Sequence, residues 1–122
     1  MRVFIVEDDE ILLLMLNRMV ERLGFEVVGN AGEGSVAIRQ ILREKPDLLL
    51  MDIILRDEID GISVVETVKE KLDCLVIYIT SNSDAAIRNR AKKTGYDDYL
   101  IKPTNIEILK KSIAGITKSN GA

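Results

Sequence analysis

The sequence contains no histidine and a single cysteine, Cys74. The absence of imidazole excludes a histidine-based acid–base triad, an imidazole metal site and a histidine phosphoacceptor within the chain. One cysteine forms no disulfide within the chain, and its apolar neighbours predict a small buried side chain. Any phosphohistidine that takes part in the chemistry therefore belongs to a partner.

An excess of positive charge and a long apolar run are missing as well. With 17 basic and 20 acidic residues, the formal net charge is −3. No large positive field is available to hold a nucleic-acid backbone, which argues against direct DNA binding. No apolar run approaches the ~20 residues that span a membrane, and acids follow residue 6 where a signal peptide stays apolar. These absences predict a cytoplasmic protein.

Short apolar runs recur along the chain and predict strands. Four of them are apolar at successive positions, as in a parallel sheet that helices cover on both faces. The run at 25–28 alternates partly, as expected at the edge of a sheet. The predicted strands are residues 3–6, 25–28, 48–53, 75–79 and 99–101.

Between these runs, apolar residues recur at helical spacing. In the first helix they include Met15 and Met19, which this spacing assigns to the core. Gly24 is predicted to end that helix, and the helix at 84–94 has the weakest apolar face. Thr104 has the spacing of a capping-box residue for the last helix.

This alternation of strand and helix predicts an α/β fold, a doubly wound parallel sheet with helices on both faces. The length suits a single domain, 1–122, and no linker or repeat divides it. Residues 118–122 are predicted to form a frayed tail.

Polar residues collect where the predicted strands end. In parallel sheets the carboxyl ends of the strands meet at one edge, where ligands bind. Residues at these ends are Glu7, Asp8 and Asp9 after the first strand, Asp52 on the third, Thr80 and Ser81 after the fourth, and Lys102 and Pro103 after the fifth. Asp9 is also predicted to cap the first helix. Gathered carboxylates repel one another unless a cation neutralises them, and oxygen ligands without sulfur or imidazole favour Mg²⁺.

These residues have both a chemical and a structural interpretation. Asp8 and Asp52 suit direct ligands of Mg²⁺, and Glu7 suits a ligand acting through water. A carboxylate beside such an ion can attack phosphorus, so Asp52 is the predicted nucleophile, with Lys102 as cation and the Thr80 hydroxyl as donor to the transferred group. The structural alternatives are an acidic first helical turn, a loop cap at Asp52, a solvated strand end at Lys102 and an ordinary strand residue at Thr80.

Together these elements resemble the response-regulator receiver family over the whole chain. The matching residues are 6–8 after the first strand, 51–52 on the third, 80–81 after the fourth, and Tyr99, Lys102 and Pro103 at the fifth. The resemblance implies a flavodoxin-like (βα)5 fold with the strand order 2-1-3-4-5. It also implies that Glu7 and Asp8 bind Mg²⁺, that Asp52 accepts phosphate from a partner kinase's phosphohistidine, and that the carbonyl of Ile54 completes the metal site.

The resemblance assigns further roles. Thr80 and Tyr99 correspond to a coupled switch pair, in which the hydroxyl moves toward the phosphoryl group and the ring turns inward. A plain core position is the alternative for Tyr99. Lys102 corresponds to the phosphate-binding lysine, and its bond to Pro103 is expected to be cis. The expected partners are a histidine kinase or phosphotransfer protein and an effector or output domain that binds the last two helices and the fifth strand.

The chain departs from the family at several places. Most receivers have proline four residues after the phosphoacceptor, where this chain has Arg56, and the loop 55–61 is one residue longer than the common loop. The conformation of this loop is therefore left open. Thr104 replaces a frequent phenylalanine, whereas Ile54 and Asn82 resemble the positions beside the phosphoryl group that tune its hydrolysis.

Two other functions are compatible with the residues. A Mg²⁺-dependent phosphohydrolase would use Asp52 as a covalent nucleophile, but Ile53 and Ile54 supply no acid or base to activate water. A pseudo-receiver would serve as an adaptor without phosphorylation. The leading prediction is a signalling switch that catalyses its own phosphorylation and slow dephosphorylation. Its output is expected in a separate protein or in another part of a longer chain.

Overall fold

The computed structural model of the protein describes residues 1–82 and 84–121, and the side chains of all of these except 119–121. Strand and helix alternate along the chain, as the apolar periodicity predicts. The strands are β1 (Arg2–Val6), β2 (Glu26–Ala31), β3 (Leu48–Met51), β4 (Leu75–Thr80) and β5 (Asp98–Ile101). The helices are α1 (Glu10–Arg22), α2 (Gly34–Glu44), α3 (Gly61–Lys69), α4 (Ala85–Lys92) and α5 (Ile106–Gly121).

The strands form one parallel sheet in the order β2-β1-β3-β4-β5, which confirms the predicted fold class and strand order. The partly alternating strand β2 lies at an edge, as its sequence indicates. Val6 at the end of β1 pairs with Met51 at the end of β3. Residues that follow these two strands are therefore neighbours at one edge of the sheet.

Helices cover both faces of the sheet because successive strand residues point to opposite sides. Phe4 and Val6 pack in a core with α2, α3 and α4, whereas Val3 and Ile5 pack in a second core with α1 and α5. Burial on both faces explains why β1, β3 and β4 are apolar at consecutive positions.

Each predicted strand differs from the structure by at least one residue, and two of them differ at an end by two or more residues. β2 lies at Glu26–Ala31 instead of 25–28, with a register shift opposite Val3 and Phe4. Gly29 makes this shift possible, since a Cβ atom there would lie 2.5 Å from the ring of Phe4. The third strand ends at Met51 instead of 53, because the chain then turns into the loop that precedes α3.

Several local predictions are confirmed. Asp9 caps α1 by accepting hydrogen bonds from the main-chain N–H groups of Ile11 and Leu12. Gly24 follows the end of that helix with a φ of 89°, a conformation that glycine adopts without strain. Cys74 is buried with a free thiol.

The prediction that Met15 belongs to the core is wrong, whereas Met19 packs partly buried against it. Met15 is 46% exposed, because Leu16 and Val20 form the side of α1 that faces the sheet. Helical spacing defines a face, but the packing of the helix decides where the edge of that face lies.

The prediction that Thr104 caps α5 is also wrong. The helix begins at Ile106, so the capping position belongs to Asn105, whose Oδ1 accepts a hydrogen bond of 2.9 Å from the N–H of Ile108. The hydroxyl of Thr104 is buried instead, without a hydrogen-bond partner among the described residues.

The frayed tail predicted at 118–122 falls partly outside the described residues. α5 runs to Gly121, whereas Ala122 and the side chains of 119–121 lie outside the description. Fraying therefore stays a prediction. In the part of the chain that is described, no helix combines the length and the apolar character needed to cross a membrane.

Replacing the true cap and the false one should have different effects on stability. Asn105→Ala removes a capping hydrogen bond and should lower the free energy of unfolding by about 1 kcal/mol. Thr104→Val removes a buried hydroxyl without a partner at nearly constant volume, so it should leave the free energy unchanged or raise it. Urea unfolding measures both. A larger loss for Thr104→Val than for Asn105→Ala would contradict the assignment of the cap.

Candidate metal centre

Three carboxylates meet at the carboxyl edge of the sheet. Glu7 and Asp8 follow β1, Asp52 follows β3, and each offers an oxygen such that these atoms lie within 4.8 Å of one another. Glu7 and Asp52 are buried, and Asp8 is half-buried. The parallel pairing of β1 with β3 thus brings Asp52 close to Asp8 and Glu7, which lie 44 and 45 positions before it in the sequence.

One ammonium group lies between two of these acids. Nζ of Lys102 is 2.6 Å from Oε1 of Glu7 and 2.9 Å from Oδ2 of Asp52. Lys102 follows β5, and its peptide bond to Pro103 is cis, as the resemblance implies. Burial alone would lower the pKa of the ammonium group. The contacts with Glu7 and Asp52 have the larger effect, so the pKa of Lys102 is raised above its ordinary value. Lys102 is therefore a fixed cation in this centre.

The carboxyl of Glu7 has a pKa well above its ordinary value, mainly because it is buried. Burial raises the pKa of its carboxyl to about 7, and the nearby charge of Asp52 adds to this effect. The contact with Lys102 and the N–H of Asp9 act in the opposite direction, without cancelling it. Oε1 of Glu7 is buried and pairs with the ammonium group of Lys102, and no other described residue donates a hydrogen bond to it.

This set of donors fits a hard divalent cation. All three side chains offer carboxylate oxygen, which Mg²⁺ prefers, and neither thiol nor imidazole is near. Among the described residues, the buried Oε1 of Glu7 pairs only with Lys102, so such an ion would give this oxygen a second partner. Backbone groups hold the two most buried acids in place. Oδ1 of Asp52 accepts a hydrogen bond of 2.7 Å from the N–H of Ile53. Oε2 of Glu7 accepts one of 3.0 Å from the N–H of Asp9. The carbonyl of Ile54 as a further ligand stays a prediction.

The two predicted switch residues contact the same stretch of backbone. Thr80 ends β4, is buried, and its hydroxyl oxygen accepts a hydrogen bond of 3.3 Å from the N–H of Asn82. Tyr99 on β5 donates its hydroxyl hydrogen to the carbonyl of Asn82 at 2.7 Å. Its ring is only 8% exposed and therefore already turned inward, with the guanidinium carbon of Arg88 4.4 Å from the ring centre.

Asn82 and Arg88 enter this region in ways that the sequence did not indicate. The contacts of Asn82 use its main chain, so its side-chain type gives no signal for them. Arg88 belongs to α4, the helix with the weakest apolar pattern, and its contact with Tyr99 crosses between two elements. Ser81, which follows Thr80, is exposed and makes no hydrogen bond to the acids among the described residues.

The loop that the sequence analysis left open has a defined conformation. In this loop, Nη2 of Arg56 donates a hydrogen bond to the carbonyl oxygen of Asp8 at 2.9 Å. Asp57 accepts hydrogen bonds from the start of α2. At the end of the loop, Gly61 passes so close to Asp52 that a Cβ atom would lie 1.9 Å from its carbonyl oxygen. Only glycine fits there without moving the phosphoacceptor candidate.

A sequence comparison identifies relatives of this chain among known proteins. The chain is 33% identical over 112 residues to the transcriptional regulatory protein PdtaR of Mycobacterium tuberculosis, an alignment that covers 92% of this chain and 54% of that protein. The chain thus spans about half the length of this relative.

Solved structures of receiver domains superpose on nearly the whole chain. The signal receiver domain of a modulated diguanylate cyclase from Desulfovibrio desulfuricans G20 matches with a TM-score of 0.90 and 31% identity, covering 97% of this chain and 94% of that one. The REC domain of AraT, a response regulator from Geobacillus stearothermophilus, matches with a TM-score of 0.87 and 28% identity, covering 98% and 95%.

The family model of the response regulator receiver domain matches residues 3–114, which include every candidate residue of the centre. The acids after β1 and β3 and the lysine after β5 lie within this match. Strand order, matched range and similar structures agree, and the chain belongs to the response regulator receiver domain family.

Proposed function

We propose that this chain is a phosphoacceptor receiver domain of a two-component system, in which a partner histidine kinase or phosphotransfer protein phosphorylates Asp52 in a Mg²⁺-dependent reaction. The observation that supports this most strongly is the contact of one ammonium group with buried acids from two strands, beside a third acid. Such a centre has the charge and the oxygen ligands that phosphoryl transfer requires.

Glu7, Asp8 and Asp52, with the carbonyl of Ile54, are the residues that would hold the ion. When bound, Mg²⁺ supplies the positive charge that neutralises the phosphoryl oxygens during transfer. Glu7 and Asp52 are fixed by burial and by hydrogen bonds from the backbone, so little reorganisation is needed when the donor arrives.

The proposed reaction changes one bond at each end of the phosphoryl group. An oxygen of Asp52 attacks phosphorus to form an O–P bond, and the N–P bond of the donor phosphohistidine breaks with its electron pair returning to nitrogen. Lys102, which now contacts Asp52 at 2.9 Å, then pairs with a phosphoryl oxygen. The slow dephosphorylation is a separate hydrolysis, in which a water molecule near Ile54 and Asn82 attacks phosphorus, the O–P bond to Asp52 breaks, and inorganic phosphate leaves with the carboxylate restored.

Thr80 and Tyr99 are the proposed route from Asp52 to the surface. The hydroxyl of Thr80 is buried in the same edge of the sheet and can donate a hydrogen bond to the phosphoryl group. That change would weaken its contact with Asn82, which also holds Tyr99. Tyr99 lies next to the proposed effector-binding face, which consists of α4, β5 and α5. Ile101 and Ile108 on this face are each 43% exposed and offer an effector apolar surface.

Labelling with acetyl phosphate tests the phosphoacceptor directly. With Mg²⁺, the chain should accumulate one phosphoryl group per molecule, and Asp52→Asn should accumulate none, because the amide is no nucleophile. Intact-mass spectrometry measures the product. Asp73→Asn, which makes the same chemical change at an exposed acid, should label like the natural sequence. Turnover of acetyl phosphate without accumulation would favour the phosphohydrolase, and no reaction would favour the adaptor.

Thr80→Ala should separate phosphorylation from the response of the surface. The variant keeps the acids and Lys102, so labelling should persist, whereas the amide chemical shifts of β5 and α4 should change much less on phosphorylation than in the natural chain. Thr80→Ser keeps a hydroxyl and should restore most of the change. Equal shift changes in Thr80→Ala and the natural chain would remove Thr80 from the proposed route.

Ile54→Asn should shorten the lifetime of the phosphorylated chain much more than it alters the rate of labelling. The side chain of Ile54 is 56% exposed beside Asp52, and an amide there can orient water that isoleucine cannot bind. Decay after removal of acetyl phosphate measures the lifetime. Ile108→Asn, at another exposed isoleucine, is the control. An unaltered lifetime for Ile54→Asn would show that this position does not tune hydrolysis.

A further inference from the structure

The loop between β3 and α3 is anchored to the start of α2 by a carboxylate. Asp57 accepts hydrogen bonds from the N–H of Gly34 at 2.7 Å, the N–H of Ser35 at 3.1 Å and the hydroxyl of Ser35 at 2.9 Å. Glu33, at the capping position of α2, makes no capping hydrogen bond with its own side chain. Asp57 therefore supplies the cap from a different loop, and these donors hold its pKa below the ordinary value.

The residue before this anchor reaches the metal centre. The N–H of Arg56 donates to the carbonyl of Gly32 at 3.1 Å, and its guanidinium donates to the carbonyl of Asp8 at 2.9 Å. Gly32 leaves room for the guanidinium, since a Cβ atom there would lie 3.0 Å from Nη2 of Arg56. The loop that contains Arg56 and Asp57 thus contacts both the start of α2 and the backbone of Asp8, a candidate metal ligand.

Asp8 needs such a support more than the other two acids. Glu7 and Asp52 are buried, and their carboxylates contact Lys102 and accept backbone hydrogen bonds. The carboxylate of Asp8 is half-buried and accepts no hydrogen bond from the described residues. Its position is therefore set by its backbone, which the guanidinium of Arg56 holds.

We propose that Arg56 is a positioning residue for Asp8, and that Asp57 anchors the loop that carries it. This proposal rests on the proposed function, since it concerns the affinity of the centre for Mg²⁺. The charge of the guanidinium opposes a bound cation, but Arg56 is exposed, and water and salt weaken that repulsion. The hydrogen bond to Asp8 acts at contact distance, so positioning outweighs repulsion and Arg56 strengthens the binding of Mg²⁺.

Titration of the whole chain with Mg²⁺ alone distinguishes positioning from charge. Arg56→Met keeps an unbranched, flexible side chain but removes both the donor and the charge. It should weaken Mg²⁺ binding about three- to tenfold, the effect of one exposed hydrogen bond. Arg56→Lys keeps a charged donor and should recover most of the affinity. Arg39→Met removes the same charge from an exposed position in the middle of α2 and should leave the affinity unchanged.

Amide chemical shifts during the titration give the dissociation constants, and thermal unfolding checks that all variants are equally folded. Tighter binding of Mg²⁺ by Arg56→Met would overturn the proposal, because it would show that the charge dominates. Equal binding by Arg56→Met and the natural chain would overturn it as well.

A second measurement needs no metal and therefore tests the positioning by itself. In metal-free protein, Arg56→Met should increase the backbone mobility of residues 8–10 measured by ¹⁵N relaxation, while Arg39→Met should not. Unchanged mobility in Arg56→Met would overturn the positioning role. Failure of the natural chain to bind Mg²⁺ would instead overturn the proposed function, and the relaxation data would still decide the role of Arg56.

Discussion

The ion pairs of Lys102 with Glu7 and Asp52 are the interaction on which the centre depends. The two carboxylates come from different strands, and their side chains are only 1% and 7% exposed. Two buried like charges without a cation would cost several kcal/mol, and the ammonium group between them offsets much of that cost. When all three acids are ionised, the ammonium group still leaves two negative charges, which one divalent cation would neutralise. Burial is the main reason that the pKa of Glu7 is raised to about 7, and the nearby charge of Asp52 adds to this effect.

Two segments, one at Asn82 and one at Arg56, join this centre to the rest of the molecule through hydrogen bonds that involve backbone groups. Asn82 accepts the hydroxyl hydrogen of Tyr99 and donates to Thr80, so two strands share one contact at the end of β4. Arg56 holds the carbonyl of Asp8, and the loop that carries it is attached to α2. The centre is thus bounded on both sides by segments that backbone hydrogen bonds hold in place, and Leu55 and Tyr99 also pack these segments against one of the two apolar cores.

Much of this arrangement follows from the sequence, because its causes are local. Consecutive apolar residues mark buried parallel strands, and the acids and Lys102 stand where those strands end. The predictions for Thr104 and Met15 were wrong, because tertiary packing decides where a helix begins and which of its sides is buried. Thr104 has the right spacing for a cap, but α5 begins one residue too late for it, and Met15 has core spacing on a side of α1 that faces solvent. The contact of Arg56 with Asp8 joins residues 48 apart, which no local pattern encodes.

Thermal unfolding with and without Mg²⁺ tests the central claim most directly, since an ion that binds only the folded chain must stabilise it. Millimolar MgCl₂ should raise the melting temperature, and NaCl at the same ionic strength should not. Replacing the buried carboxylate by an amide in Glu7→Gln should reduce the difference between the two salts. If MgCl₂ and NaCl have the same effect on the natural chain, the acids at this edge of the sheet do not form a centre for a divalent cation.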